Sequence, residues 1–360
     1  MLRPAQLDLA LIGQPLPWDL YTESGVLVAG AGLVIADEAH FLKLVSRPLF
    51  RQMDGGQDAN RLLDRLAELT TEADQLLSRQ DGELDIARLA GVTRDLCAVF
   101  QVDCDACLGY PRLTRLARPS VAHSLHVMFV ALLLADQMEL EEPERECLAG
   151  AALTMNLADL ALHDRLADQV TTPTREEKQL LLAHPIRSVE RLARAGLSDM
   201  DWLETVAQHH ENMDGSGYPE GRAGADIRLT ARILRVADTY CAKITGRNYR
   251  PPKSGRYALQ EIFGRERGRL DSQIATLLLR RVGLFPPGTL VRLANRESAC
   301  VTRRGRGGAV RFVVSFMDAR GRPLDPPRER DITARANHLR SVLEMEPAWP
   351  RIEWKHLWGY

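Results

Sequence analysis

The sequence has no marked excess of charge of either sign and no long hydrophobic run. Its 360 residues include 47 Lys and Arg against 48 Asp and Glu, which gives a formal net charge of −1. Surfaces that bind nucleic acid generally carry a basic excess, so we expect no nucleic-acid partner. The longest apolar run, Val127 to Ala135, is much shorter than the roughly 20 residues that cross a bilayer. We therefore expect no membrane span, and residues 1–8 predict no signal peptide because they lack a basic region followed by an apolar core.

Cysteine is also scarce, and its distribution favours a reducing compartment. The six cysteines stand mostly in apolar or helical contexts. Cys104 and Cys107 form one CxxC motif, but no second pair follows at the spacing of a zinc finger. We interpret this motif as structural and expect a cytoplasmic protein. Hydrophobic residues at 45% and charged residues at 26% are ordinary for a soluble chain of two or three domains.

Hydrophobic patterning predicts a mainly α protein with β-rich ends. Short runs broken by glycine and proline mark both ends, whereas the centre repeats apolar residues at helical spacing. Asp37 is a suitable N-cap for a short helix over Glu38 to Val45. A basic cluster near the C-terminus is interpreted as a solvated hairpin: Arg303, Arg304, Arg306 and Arg311. The predicted domains are a small β-rich accessory module (1–52), a linker and helical connector (53–112), an all-α domain (113–270) and a β-rich C-terminal extension (271–360).

Residues 209–221 concentrate the residue types that build metal and phosphate sites. His209 and His210 close a run with a helical pattern, and Glu211 follows them directly. Three glycines and a proline then force turns, because Gly permits positive φ and Pro fixes φ at about −65°. Imidazoles beside a carboxylate at the mouth of a rigid loop suit a metal ion. An isolated His-His pair would more simply be a capped helix end, but the complete stretch is far more specific.

The complete stretch resembles the signature of the HD-GYP family, a branch of the HD phosphohydrolases whose members hydrolyse the bacterial second messenger cyclic di-GMP. The resemblance is strong over roughly residues 113–262 and implies an all-α HD-type helical bundle. It also implies a centre of two or three divalent metal ions, Fe or Mn, held by His and Asp. The substrate-binding residues implied are Gly217, Tyr218 and Pro219 of the signature, with Arg247 and Arg250 in a segment that resembles RxYRP.

Five positions resemble the metal ligands of that family, in the same order along the chain. They are His123, His184, His209, His210 and Asp238. Near two of these ligands, one position each departs from the family. His126 stands where arginine is usual, and Ser188 replaces the glycine of the HPxxG segment that begins at His184.

The His-Asp pair that names the family is missing. Residues 174–177 match the family's TxEE segment and fix the register, which places Met155 and Asn156 at the His-Asp positions. Asp159 falls where the family has a lysine. A literal His163-Asp164 occurs further on, opposite the family's IPD segment, and we interpret it as a decoy. A thioether and a neutral amide are poor replacements for an imidazole and a bridging carboxylate, so we expect no normal two-metal centre.

Three functional hypotheses follow from this pattern. The first is a degenerate HD-GYP protein that has lost hydrolysis and acts by binding cyclic di-GMP or a protein partner. The second is a working metal-dependent phosphodiesterase with an unusual centre that recruits Asp159 or His126. The third is a purely structural or partner-binding protein that keeps the signature for loop packing. The retained ligands leave open one residual metal ion or none, and a homodimer is also left open.

Overall fold

A computed structural model describes the chain except for residues 1, 5–6, 8–10, 17, 23–25, 47–48, 53–57, 80–83, 115, 117, 170, 245–254, 306–307, 346–348, 350–353 and 359–360. The chain divides into two compact units, Met1–Asp64 and Arg65–Gly359. Helix accounts for 57% and strand for 12% of the structure, which confirms the predicted mainly α class with a small sheet at each end. The finer division into four segments stays a prediction.

The first unit is built on a small antiparallel sheet. Its strands pair in the order β1-β4-β2-β3 and span Leu2–Pro4 (β1), Leu20–Tyr21 (β2), Leu27–Ala29 (β3) and Phe50–Gln52 (β4). Helix α1, Glu38–Val45, begins where the Asp37 carboxylate accepts a hydrogen bond from the backbone N of His40. The predicted cap is thus confirmed. Leu20, Ile35 and Phe41 pack in a small core between this helix and the sheet.

The second unit consists largely of helices packed around one apolar helix. The remaining helices of the chain are α2 (Asp58–Leu77), α3 (Ile86–Val102), α4 (Cys104–Leu113), α5 (Pro119–Gln137), α6 (Glu142–Thr154), α7 (Leu160–Asp168), α8 (Arg175–Arg194), α9 (Met200–Gln208), α10 (Leu229–Ile244), α11 (Gly255–Gly264), α12 (Ser272–Val282) and α13 (Trp354–Leu357). Helix α5 is long and apolar enough to cross a membrane, yet 78% of its most apolar window is buried inside the protein. It packs against α4, α6 and α10, as the central helix of a bundle does.

Two local devices place the helices that later form the site. Thr174 and Glu177 make a reciprocal capping box at the start of α8, so the segment that fixed the sequence register also fixes where this helix begins. Helices α6 and α9 meet at Gly150, where an added Cβ would lie 2.1 Å from the Trp202 indole. The indole Nε1 donates to Thr154 Oγ1 at 2.9 Å. Glycine is therefore required for this close approach.

The C-terminal part forms an antiparallel sheet in the order β8-β7-β6-β5-β9. Its strands are Leu290–Leu293 (β5), Ser298–Cys300 (β6), Phe312–Met317 (β7), Pro323–Asp331 (β8) and Leu339–Leu343 (β9). Val291, Val301 and Val313 are buried in its core. The predicted β-rich extension is thus present.

The interpretation of the basic cluster as a solvated hairpin is wrong for Arg303 and Arg304. Arg303 pairs with Asp103, and Arg304, whose side chain is only 12% exposed, pairs with Asp105. Arg304 also reaches Cys104 Sγ at 2.9 Å. The acidic residues around the start of α4 supply counter-charges that the local sequence of the cluster could not reveal. Arg311 is exposed beside Asp331, as expected, and Arg306 lies outside the described residues.

Candidate metal and nucleotide site

Three histidines converge where α8 meets the end of α9. His184 lies within α8, His209 caps the C-terminus of α9, and His210 follows it. Their ligand atoms lie within 4.8 Å of one another, and the Nε2 atoms of His184 and His209 are 3.1 Å apart. Two nitrogen ligands of one ion at about 2.1 Å, meeting at a right angle, would be about 3.0 Å apart. This spacing suits a shared metal ion.

Helix geometry sets the tautomer of two of these imidazoles. His184 Nδ1 donates to the backbone O of Leu181 at 2.5 Å, and His209 Nδ1 donates to the backbone O of Val206 at 2.6 Å. A carbonyl can only accept, so each Nδ1 carries the proton. The lone pair is then on Nε2, the atom that faces the cluster. Both histidines are preset as ligands by the turn of helix that precedes them.

Burial keeps the cluster neutral. It lowers the pKa of His209 to about 3, and the neighbouring His184 reinforces the effect. Burial also lowers the pKa of His184 and, by a larger amount, that of His210. Removing a charged imidazolium from water is unfavourable, so all three rings are neutral near pH 7. Neutral rings can bind a metal without first releasing a proton.

The other two residues matched to metal ligands form a pair of their own. His123 Nε2 on α5 lies 2.8 Å from Asp238 Oδ1 on α10. Burial raises the pKa of Asp238, but the hydrogen bond and charge of His123, with His210 and His209 nearby, outweigh it and hold that pKa well below its usual range. Among the described residues, the group whose ligand atoms are mutually within 4.8 Å consists of the three histidines, without this pair.

The segment that the sequence register predicts at the His-Asp positions is buried and hydrogen-bonded to α8. Met155 and Asn156 are both buried, and they lead into a 3-10 turn, Leu157–Asp159. Three successive residues of this turn bond to α8. Arg191 Nη1 donates to the Leu157 carbonyl at 2.8 Å, Ala158 N donates to Ser188 Oγ at 3.1 Å, and Arg187 Nη1 donates to Asp159 Oδ1 at 2.6 Å.

These contacts connect the departures from the family pattern to one another. Ser188, in place of glycine, supplies the acceptor for the turn, and Asp159, in place of lysine, supplies the anion for Arg187. Asp159 is 4% exposed at its side chain, and its charge offsets part of the effect of burial, which lowers the pKa of His184. One carboxylate oxygen is committed to Arg187. Within the described part of the chain, the other, Oδ2, is buried without a hydrogen-bond partner.

The histidine of the His163-Asp164 decoy lies closer to the cluster than the sequence predicts. The His163 ring, on α7, meets the His184 ring edge-on with a centroid distance of 5.9 Å. Asp164, in contrast, accepts a hydrogen bond from the backbone N of Ser120 at 2.8 Å, in the first turn of α5. The two neighbouring residues therefore contact different helices, His163 contacting α8 and Asp164 contacting α5. His126, also considered for recruitment, is buried on α5, and burial lowers its pKa well below the usual value.

The signature loop forms a rigid wall beside the cluster. Glu211 Oε1 accepts from the backbone N of Glu220 at 2.7 Å and of Gly221 at 3.1 Å. A Cβ at position 217 would lie 2.4 Å from the Asn212 backbone, so only glycine fits. The Tyr218 ring stacks on the His210 ring at 4.7 Å and 22°, followed by a cis peptide bond to Pro219. Arg247 and Arg250 lie outside the described residues.

Two arginines beside the cluster were missed by the sequence reasoning. Arg187 is three residues after His184 on α8, and Arg235 is three residues before Asp238 on α10. The Arg235 guanidinium donates to Asn212 Oδ1 at 3.1 and 3.2 Å and approaches His210 Nδ1 at 3.4 Å. A spacing of three places residues on one helix face, which is the signal that could have identified both. Their positive charge suits an anionic ligand.

Comparison with known proteins agrees with the fold. Residues 106–274 match a family model described as HD domain. The chain is 27% identical over 272 residues to cyclic di-GMP phosphodiesterase PA4108 of Pseudomonas aeruginosa, covering 75% of this chain and 65% of that protein. It is 33% identical over 153 residues to the cyclic di-GMP phosphodiesterase response regulator RpfG of Xanthomonas campestris, covering 42% and 40%. The chain thus spans less than two thirds of the length of these curated relatives.

A solved structure shares the architecture. Bd1817, a HDG"Y"P protein from Bdellovibrio bacteriovorus, superimposes with a TM-score of 0.51 at 16% identity. The match covers 77% of this chain and 98% of that one. It therefore extends beyond the helical region alone.

Proposed function

We propose that this protein is a degenerate HD-GYP protein of bacterial cyclic di-GMP signalling, which the match of residues 106–274 to a family model described as HD domain supports. In this proposal it is impaired in hydrolysis and acts by binding the nucleotide or a protein partner. The observation that carries the proposal is the turn Leu157–Asp159, which directly follows the two positions matched to the family's His-Asp pair. Three side chains of α8 form hydrogen bonds with this turn. The curated relatives named above support cyclic di-GMP as the ligand.

The donor set fits one metal ion and does not fit a normal pair. His184 and His209 present paired Nε2 atoms, and His210 can add a third nitrogen. A bound divalent ion, Fe or Mn, would supply Lewis-acid activation of water and of a phosphoryl oxygen. Asn156 has no carboxylate to bridge a second ion, and Asp238 is engaged with His123. The chain's own residues thus favour a residual or mononuclear site over a working two-metal centre.

The walls of the site suit a nucleotide with phosphodiester groups. Tyr218 offers an aromatic face, and Gly217 and Pro219 hold it in place beside the cluster. The Arg187 and Arg235 guanidiniums supply positive charge, and guanidinium matches phosphate oxygens in a bidentate manner. Arg247 and Arg250 are proposed as further phosphate contacts on the family resemblance alone. The cytoplasmic location, a protein partner and a homodimer remain predictions.

The test is to measure metal content, cyclic di-GMP binding and turnover on one sample of the full chain. Metal is measured by elemental analysis, binding by calorimetry, and products by chromatography after addition of Fe(II) or Mn(II). We expect at most one equivalent of metal, and binding without linear dinucleotide or GMP. Tyr218→Ala should weaken binding, whereas Arg267→Ala, at an exposed position after α11, should leave it unchanged.

Two other results would each select a different hypothesis. Steady formation of linear dinucleotide by the wild-type chain would establish a phosphodiesterase with an unusual centre. Neither metal nor nucleotide binding would leave a structural or partner-binding protein that keeps the loop for packing.

A further inference from the structure

The hydrogen bond of His210 differs in kind from those of the other two histidines in the cluster. His184 and His209 each donate from Nδ1 to a backbone carbonyl of their own helix, so both keep the lone pair of Nε2 for an ion. His210 Nδ1 instead faces the side chain of Arg235 on α10, whose Nη1 lies 3.4 Å away. The partner of the third histidine is therefore a donor group.

This contact determines which nitrogen of His210 carries the proton. A guanidinium has N–H groups but no lone pair, so Arg235 can only donate and His210 Nδ1 must accept. In the neutral ring the proton is then on Nε2. The ligand atoms of His184, His209 and His210 lie within 4.8 Å of one another, yet one nitrogen of His210 is occupied by Arg235 and the other is protonated. Neither nitrogen is ready to bind an ion in this arrangement.

The signature loop holds Arg235 in this position. Arg235 Nε and Nη2 donate to Asn212 Oδ1 at 3.2 and 3.1 Å, and Asn212 Nδ2 donates in turn to Ser216 Oγ at 3.0 Å. The Tyr218 ring covers one face of the His210 imidazole at a centroid distance of 4.7 Å, which limits the rotation of His210 away from Arg235. The contact between Arg235 and His210 thus belongs to an ordered network that joins α10 to the loop.

His210 can become a third ligand of an ion held by His184 and His209 only when Arg235 moves away. If His210 binds through Nδ1, it needs the lone pair that Arg235 uses. If it binds through Nε2, the ring proton moves to Nδ1 with no net gain or loss of a proton, and two donors then face each other. We propose that Arg235 is a positioning residue that competes with the metal ion for His210 and so lowers the affinity of the cluster for metal. This role rests on the proposed function, since it requires the metal site proposed above.

The first measurement locates the ring protons by NMR in the full chain, labelled isotopically in its histidines and freed of metal by a chelator. Ring nitrogen chemical shifts distinguish a protonated from an unprotonated nitrogen, and His210→Gln identifies the signals of that residue. We expect the proton of His210 on Nε2, and a mixture of both tautomers in Arg235→Met. Arg267→Met, which removes an exposed arginine after α11, should leave the ring signals of His210 unchanged. A proton on Nδ1 of His210 in the wild-type chain would overturn the proposal, whether or not the chain binds metal.

The second measurement is the affinity for Co(II), followed by its visible absorption in competition with a chelator. We expect Arg235→Met to bind Co(II) roughly three- to tenfold more tightly than wild type, the value of one long hydrogen bond to a charged group. The same change in a His210→Gln background should bring no gain, because the contested ring is absent. Arg235→Lys keeps the charge but loses the forked contact with Asn212 and His210, so it should also bind more tightly. Arg267→Met should match wild type.

Other outcomes overturn the proposal. An unchanged affinity in Arg235→Lys would show that charge alone repels the ion and that the lone pair of His210 is not contested. Equal Co(II) affinity of Arg235→Met and wild type, or no binding by either, would remove the competition. Absence of cyclic di-GMP binding to the wild-type chain would instead count against the proposed function, while tighter Co(II) binding by Arg235→Met would still support this role of Arg235.

Discussion

Arg187 and Asp159 form a charge pair between α8 and the turn Leu157–Asp159, with Nη1 2.6 Å from Oδ1. The carboxylate is buried, whereas the arginine side chain is 42% exposed and reaches the surface one helical turn beyond His184. The resemblance places a lysine at position 159. In this chain the positive charge is instead on Arg187 of α8, and Asp159 of the turn supplies the carboxylate that pairs with it.

The first prediction concerns this pair. Asp159→Asn should lower the free energy of unfolding by about 1–2 kcal/mol, since a charged hydrogen bond is lost but Arg187 can still reach water. A double-mutant cycle with Arg187→Met, followed by chemical denaturation, measures the coupling. The matched control is Glu220→Gln, in an exposed pair with Arg222, where we expect a smaller effect because water screens the two charges. Equal effects at the two pairs would contradict the structural role given to Asp159.

The second prediction is that restoring the missing pair alone does not restore hydrolysis. In Met155→His with Asn156→Asp, the turn is still held by Arg187, Ser188 and Arg191, so the new carboxylate would not be freed to bridge two ions. We expect no second equivalent of metal and no linear dinucleotide from cyclic di-GMP. Elemental analysis and chromatography provide the readouts. A second bound ion in this double variant would show that the turn is not the obstacle.

The third prediction is acid sensitivity of the protein freed of metal by a chelator. The folded-state pKa of His209, about 3, lies below the ordinary value of 6.5, so the unfolded chain takes up a proton first as the pH falls. Stability is fully present above pH 6.5 and is lost at about 1.4 kcal/mol per pH unit for this histidine as the pH falls towards 3. His209→Gln should reduce that slope in denaturation curves at pH 7, 6, 5 and 4 (about one unit apart). An unchanged slope would mean that this ring is not kept neutral by burial.

The fourth prediction uses two glycines in helices. Gly150→Ala should destabilise the protein by about 1–3 kcal/mol, because the new Cβ would meet the Trp202 indole at the contact of α6 and α9. Gly91→Ala on α3 is the matched control, since nothing lies within 4 Å of the added methyl group. It should stabilise the helix by about 0.5–1 kcal/mol. Thermal unfolding of both variants tests the sign as well as the size of the effect. Stabilisation by both would show that helix propensity outweighs the contact with Trp202, which would contradict the packing role given to Gly150.

The fold class was predictable because it depends on short-range patterns. The cap at Asp37 and the helical spacing through the centre depend on residues that are close together in the sequence. The structure has the helices and the two small sheets that these patterns predict. The same holds for the signature loop. Glu211 and Gly217 act within about ten residues of their partners, so a local motif contains both sides of each contact.

The contacts that determine the character of the site are long-range and were not predictable in the same way. Asp159 could be recognised as a departure, but its partner Arg187 is 28 residues away, and no pattern in the sequence pairs them. His163 was set aside because its neighbour Asp164 matched another segment, yet the fold brings its ring to His184. Arg303 and Arg304 find their carboxylates about 200 residues away, at the start of α4.

The three-point attachment of the turn to α8 also restricts how this chain can change. A lysine at position 159 would face Arg187 and place two cations together, and a glycine at position 188 would remove the acceptor of Ala158 N. Each of these two changes alone is therefore expected to loosen the turn. Several positions on both elements would have to change together to build a differently charged segment here, so the turn and α8 constrain one another's sequence.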